Sequence, residues 1–340
     1  LVEDLQKSYY CKMDLPVKNI VSEIDLKPSD FLLPLFESVV NSIISLKLTK
    51  DISKQNKKIQ IQVFRGEAIQ ANTLFPSNFK TISSFKVIDN GEGFTDPNLE
   101  SFKTAYSHKN KEEFGCKGIG RFTILAGFRK LLIKSYFVDK GIWKYREISF
   151  DTEKEVSLIT NDVTEVRERK TTIELSDCYN DSIRNNSTKS VSEIAELIMQ
   201  HCLVYYLCGD LPYIEVYDTE SQELAVVNDL YQNLSEEREK SFSVSNQPFH
   251  CYITKTQKTN NRRNHYVYYC ANSRVVGSGK SIARVNSIFA YPIIDNGYAY
   301  FLDVYVVSEY LNKKVYGSRN GFSIPQERED GLFNSFQNNE

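Results

Sequence analysis

Residues 30–48 read DFLLPLFESVVNSIISLKL, with Leu35/Phe36, Val39/Val40 and Ile43/Ile44 as apolar pairs four residues apart. That spacing lays a broad apolar stripe along one face of an α-helix, and such a stripe has to be covered by another layer. Ser29 or Asp30 is placed to cap the helix, and Pro34 lies close enough to its start to be tolerated. Residues 57–65 (KKIQIQVFR) alternate strictly, as a strand with one wet face does, and residues 84–89 (SFKVID) read as a more buried strand. Residues 143–151 and 170–176 read as two more strands. A second long helix is expected over residues 190–207, where Val191, Ile194, Ile198, Cys202 and Tyr205 share a stripe.

The chain has 340 residues, 41% hydrophobic and 25% charged, which suffices for two globular domains with sizeable cores. A formal charge of -2 argues against a protein whose whole surface grips nucleic acid. The run KTQKTNNRRNH at residues 255–265 reads either as a local basic patch or as a solvated loop. Seven cysteines, an odd number without a Cys-x-x-Cys pair, indicate neither a disulfide framework nor a zinc site. No apolar run reaches the roughly eighteen residues of a membrane span, and the N-terminus lacks a basic segment followed by an apolar one, so a cytoplasmic location is expected. The chain starts without Met and ends in polar FNSFQNNE, which reads as a piece of a longer protein.

Between the elements lie two polar stretches. Residues 95–117, lysine-rich and without a sustained apolar period, read as a mobile loop or lid; GIGRFTILAGF then passes from glycines into an apolar helix. Residues 177–189 (DCYNDSIRNNSTK) form a polar gap, which sets expected domains at residues 15–180 and 186–330. The second domain is β-rich and aromatic, as a sheet packed by one or two helices would be.

Three groups of residues carry chemistry. In FKVIDNGEGF a strand stops at Asp89 and runs into Gly91 and Gly93. Asn-Gly there fits a tight turn; a carboxylate at a strand end also fits a ligand acceptor, with glycines that let the ligand approach the backbone. Glu37 and Asn41 stand one turn apart on the first helix, where a carboxylate can orient water and an amide oxygen can ligate a hard cation. Gly115, Gly118 and Gly120 in FGCKGIGRF suit a loop whose amides converge on phosphate oxygens just before a helix. The Gly-Lys-Ser/Thr ending of a Walker loop is missing, and no acid about twenty residues on supports a dinucleotide fingerprint.

The order of these groups resembles the GHKL ATPase superfamily of DNA gyrase, heat-shock 90-type chaperones, histidine kinases and MutL mismatch-repair proteins. ESVVN is similar to its Glu-x-x-x-Asn motif, DNGEG to its Asp-x-Gly-x-Gly motif, GCKGIG to the glycine turn closing its ATP lid, and TT to its late Gly-Thr, with Thr172 matching and Thr171 replacing Gly. YVYYCANSRVV resembles the transducer segment of MutL- and MORC-type members, with Asn272 and Arg274 matching and Ser273 replacing Gly; no histidine is placed as a kinase phosphoacceptor. The resemblance implies an α+β chain: a two-layer α/β sandwich of Bergerat type, then a transducer with a ribosomal-protein-like β-α fold. It implies ATP and Mg2+, with Glu37 as base, Asn41 as magnesium ligand, and Asp89 accepting from adenine beside Gly91 and Gly93. Gly115, Gly118, Ile119 and Gly120 would hold phosphates, with Lys117 or Arg121 adding charge, Ser107 and Lys109 approaching from the lid, and Thr172 supporting adenine. Arg319, in competition with Lys313 and Lys314, would reach the γ-phosphate. An ATP-dependent homodimer follows, acting on DNA or through an effector outside this chain; the alternative is a chaperone-like ATPase acting on protein clients.

Overall fold

The computed structural model describes residues 9–11, 16–66, 80–104, 120–179, 184, 187–207, 209, 211–232, 235–257, 264–316 and 321–324. The chain divides into two compact units, Leu1–Met199 with Cys208–Asn228, and Gln200–Leu207 with Asp229–Glu340. Among the described residues there are seven helices and two mixed sheets, an α+β fold. No helix among them is long and apolar enough to cross a membrane.

In chain order the first unit begins with β1 (Tyr9–Cys11), α1 (Val17–Ser22), α2 (Leu33–Leu48), β2 (Lys58–Arg65) and β3 (Ile82–Asp89). There follow α3 (Asp96–Lys103), α4 (Gly120–Gly127), β4 (Phe128–Asp139), β5 (Ile142–Asp151), β6 (Glu155–Val163) and β7 (Lys170–Cys178). After α5 (Val191–Leu207), the strands β8 (Tyr213–Asp218) and β9 (Leu224–Val226) rejoin the same sheet. Its order is β1-β6-β5-β4-β7-β3-β2-β8-β9, antiparallel except for the β2–β8 pair. The sequence reading groups residues 213–218 with the second domain. Pairing of Ile59 with Ile214 and Ile61 with Val216 puts them in the first sheet instead, because their alternating apolar face extends the one on β2.

The apolar stripe of α2 does what its period requires: Leu35, Val39, Val40 and Ile43 are fully buried, as are Ile59, Ile61 and Val63 of β2 and Val87 of β3. Each such side chain contributes about 1.5–3 kcal/mol when removed from water. The opposite face of the sheet is wet and carries cross-strand ion pairs, Lys86–Glu174 at 3.5 Å and Lys134–Glu147 at 3.9 Å. One face covered and one solvated is the usual state of an antiparallel sheet.

Two local expectations need correction. Helix α2 starts at Leu33, with Leu32 at its N-cap and no side-chain cap; Asp30 instead accepts a 3.3 Å hydrogen bond from the Lys27 amide in a preceding 3-10 turn. Pro34 in the first turn fixes φ and has no N–H to satisfy, so the helix starts without a capping side chain. The stretch read as a lid opens with α3, whose apolar signal is only Leu99 and Phe102. Leu99 is buried, and the Phe102 ring meets Phe94 and Phe150 edge-on at 5.6 and 5.3 Å. Residues 105–119 lie outside the described residues.

The second unit follows α6 (Val227–Gln232) with β10 (Ser235–Val244), β11 (Gln247–Gln257), β12 (Tyr266–Ala271), β13 (Arg274–Val275), β14 (Lys280–Ser281), β15 (Ile293–Asp295), β16 (Tyr298–Val307) and α7 (Glu309–Lys314). Its main order is β10-β11-β16-β12-β13, with β12 and β16 parallel. Leu311 of α7 packs with Phe249, Cys251 and Val306 in its core. Asn272 and Ser273 both take positive φ, 52° and 61°, as a two-residue turn between β12 and β13 demands.

Candidate functional site

Helix α2 carries a polar stripe as well as an apolar one, and the stripe organises the site. Glu37, Asn41 and Ser45 follow at intervals of four, with Ser38 and Ser42 beside them. Ser42 Oγ donates to Asp89 Oδ2 at 2.7 Å, and the Gly91 amide donates to Asp89 Oδ1 at 2.9 Å. Asp89 is only 3% exposed, and burial pushes its carboxyl from the ordinary 3.8 up to about 6, against the opposing pull of these two hydrogen bonds.

The glycines of DNGEG have packing reasons visible in the fold. A Cβ on Gly91 would lie 2.4 Å from Ser45 Oγ and 2.9 Å from the Ser45 carbonyl carbon, so only glycine lets the turn press on α2. Gly93 has φ +78°, and a Cβ there would lie 2.7 Å from that of Phe137. The segment is no hairpin, since β3 pairs with β2 and β7 and the chain goes on into α3. Arg146, 1% exposed, holds that departure: it donates to the Phe94 carbonyl and to Asp96 Oδ1, both at 2.6 Å. The same hydrogen bond holds the Asp96 carboxyl below the usual carboxylate range.

Glu37 meets the start of α4. A Cβ on Gly120 would lie 2.3 Å from Glu37 Oε2, so glycine at this position admits the carboxylate against the backbone. A helix start is electrostatically favourable to a carboxylate or a phosphate. Asn41, one turn on, is exposed, and its amide makes no hydrogen bond among the described residues. Arg121 turns away into the protein: its guanidinium donates to the Thr104 carbonyl at 2.6 Å and lies 5.2 and 4.9 Å from the rings of Phe102 and Phe122. It ties α4 to the end of α3, and burial lowers its pKa to about 10.

Register decides which threonine adjoins Asp89. Asp89 pairs with Thr171 and Ile88 with Thr172, so Thr171 shares the buried face with Asp89 while Thr172 faces the wet side with Ile88 and Lys134. Thr171 is 3% exposed, its Oγ1 lies 2.9 Å from Ser135 Oγ, and Ser135 Oγ also accepts from the Phe94 amide at 3.0 Å. Asp89, Thr171 and Ser135 thus form a polar row across three strands. Sequence reading missed Ser42, Ser45, Thr171 and Ser135; the available signal was serines inside an apolar helix, together with the strand alternation of KTTIEL counted back from Ile173.

No family model matches the chain. No curated protein matches it either. Of the sequence-derived site residues, folding brings Glu37 and Gly120 together on one side of α2, sets Asp89 and Gly91 beside Ser42 and Ser45, and puts Gly93 against Ser135 and Phe137. Ser107, Lys109, Gly115, Lys117, Gly118 and Ile119, and Arg319 of the second unit, lie outside the described residues. Lys313 and Lys314 occupy the last turn of α7. Residues 258–263 of the basic run are also outside; its Lys255 pairs with Asp295 and sits 4.3 Å from the Tyr300 ring centre.

Proposed function

We propose that the first unit is a GHKL-type ATP-binding and hydrolysing module, a Bergerat-type sandwich. The second unit would be its transducer, and together they would work as a nucleotide-driven dimerisation switch in a larger, DNA-directed protein. The observation that carries this reading is the buried Asp89, hydrogen-bonded to the helix that also presents Glu37 to the first residue of a glycine-led helix. A carboxylate this enclosed is costly unless donors meet it, and the 6-amino group of adenine would add one.

In the proposed mechanism each residue has a local task. Asp89, held by Ser42 and Gly91, accepts from adenine, with the Thr171 hydroxyl beside it in register. Glu37 takes a proton from the attacking water, and the start of α4 receives phosphate oxygens. The exposed Asn41 carbonyl is a hard oxygen fit to share a magnesium ion with phosphates, and that ion would neutralise charge on the nucleotide. Catalysis then rests on positioning and charge compensation, as in phosphoryl transfer generally. ATP binding would favour pairing of two modules.

The test is magnesium-dependent ATP hydrolysis by the wild type beside Glu37→Ala. Loss of about 10²–10⁴-fold in turnover with nucleotide binding retained is expected for removal of a general base. Equal turnover in the two proteins would refute the assignment.

A further inference from the structure

On the other side of the Asp89–Gly93 turn the first unit has a cleft of about 590 Å³ that the proposed ATPase leaves unused. Its volume lies in the range of about 300–1,000 Å³ typical of small-molecule sites. Its wall includes Trp143, the chain's only tryptophan, and Tyr213, which is 41% exposed. Large aromatic side chains are ordinarily spent on the core; two of them lining an open cleft offer stacking surfaces.

The charges around these rings are unevenly matched. Arg169 is spoken for, donating to Asp51 Oδ2 at 2.9 Å and to the Glu92 carbonyl at 3.3 Å. Lys58 and Arg167 make no ion pair among the described residues, Arg167 donating only to the Thr164 carbonyl at 3.5 Å; with Asp51 taken by Arg169, Glu168 is the acid left in the lining to balance them, so one positive charge is left over. The side-chain amides of Gln55 and Asn56 make no hydrogen bond among the described residues, and each can donate and accept. The cleft is also braced: Asn90 donates to the Asn56 carbonyl at 2.8 Å and accepts from the Lys58 amide at 3.0 Å.

We propose that this cleft is a second ligand site, for a nucleobase carrying a phosphate: the ring stacked on Trp143 or Tyr213, its edge read by the amides, its phosphate met by Lys58 and Arg167. Two sources supply that chemistry, a free mononucleotide or one unit of a single strand. Thymine lacks the exocyclic amine that the Asp89 contact requires, so thymidylate ligands address this cleft independently of the ATP reading.

The experiment follows Trp143 fluorescence of the full chain during titration with thymidine monophosphate, and with an oligothymidylate of about eight nucleotides, within the usual single-strand site sizes. Saturable quenching is expected. It should weaken at least about tenfold in the Lys58→Glu, Arg167→Glu double variant, and about two- to threefold between 50 and 200 mM salt for the one phosphate met on a single strand. Asp89→Asn should leave it unchanged. Tighter binding of the oligonucleotide would identify a single strand as the source, and equal binding a mononucleotide; both support the site. Absence of saturable quenching with either ligand would overturn it. So would quenching indifferent to the double charge reversal, or quenching abolished by Asp89→Asn.

Discussion

The two sides of the turn after β3 are built from neighbouring residues by opposite means. Asp89 points under α2, 3% exposed, into a wall of serines and glycines where a single methyl group would collide with backbone. Asn90, the next residue, points the other way and stitches together an exposed loop, beside long side chains and an open cleft. The strand end and the turn that follows it thus supply an enclosed, selective face and an accommodating one. Enclosure makes the first face sensitive to charge and volume; the second should tolerate both.

The largest difference between the faces is expected in pH dependence. Folded Asp89 holds its proton up to about pH 6, against 3.8 ordinarily, so its stabilising contribution is full below about pH 4 and is lost as pH rises through 6. The loss amounts to about 3 kcal/mol for a shift of this size. Denaturant melts across pH 4–7 should therefore show Asp89→Asn gaining on the wild type as pH rises, whereas Asn90→Ala should run parallel to it. Nucleotide binding at pH 6 should also release a proton, since an adenine donor favours the ionised carboxylate.

Next in size is volume. Gly91→Ala is expected to cost about 1–3 kcal/mol, because the Ser45 backbone has to move, and Asn90→Ala about 1 kcal/mol from its two hydrogen bonds. A comparison of thermal midpoints checks both, and equal shifts would erase the contrast.

The smallest effect separates the two threonines. Thr171→Val removes a hydroxyl bonded to buried Ser135 and should cost about 1 kcal/mol and weaken ATP binding. Thr172→Val on the wet face should stay within about 0.5 kcal/mol and leave binding intact.

How far the sequence could be read follows from how local each determinant is. The period of α2 and the alternation of β2 are local, and both survived folding. The pairing of Glu37 with Asn41 on one face is likewise a matter of helical pitch. What stayed hidden depends on partners distant in the chain: β8 reads as part of the second domain until its pairing with β2 is seen. The matching of Thr171 rather than Thr172 to Asp89 is set by the β3–β7 register across more than eighty residues of sequence. Ser42 and Ser45 look like dilutions of an apolar helix until the turn is seated on them. The glycines were legible as special but their reason was not, since Gly91 answers to Ser45 and Gly93 to Phe137.

The central claim is that Asp89 reads the amino group of adenine. Calorimetric titration of ATP and of purine riboside triphosphate, which lacks that amine, into the wild type and Asp89→Asn tests it directly. The expected result is about 10–100-fold tighter binding of ATP by the wild type, the worth of one hydrogen bond to a charged group, and loss of that preference in Asp89→Asn. Equal affinity of the wild type for the two nucleotides, or no binding of either by the folded protein, would contradict it.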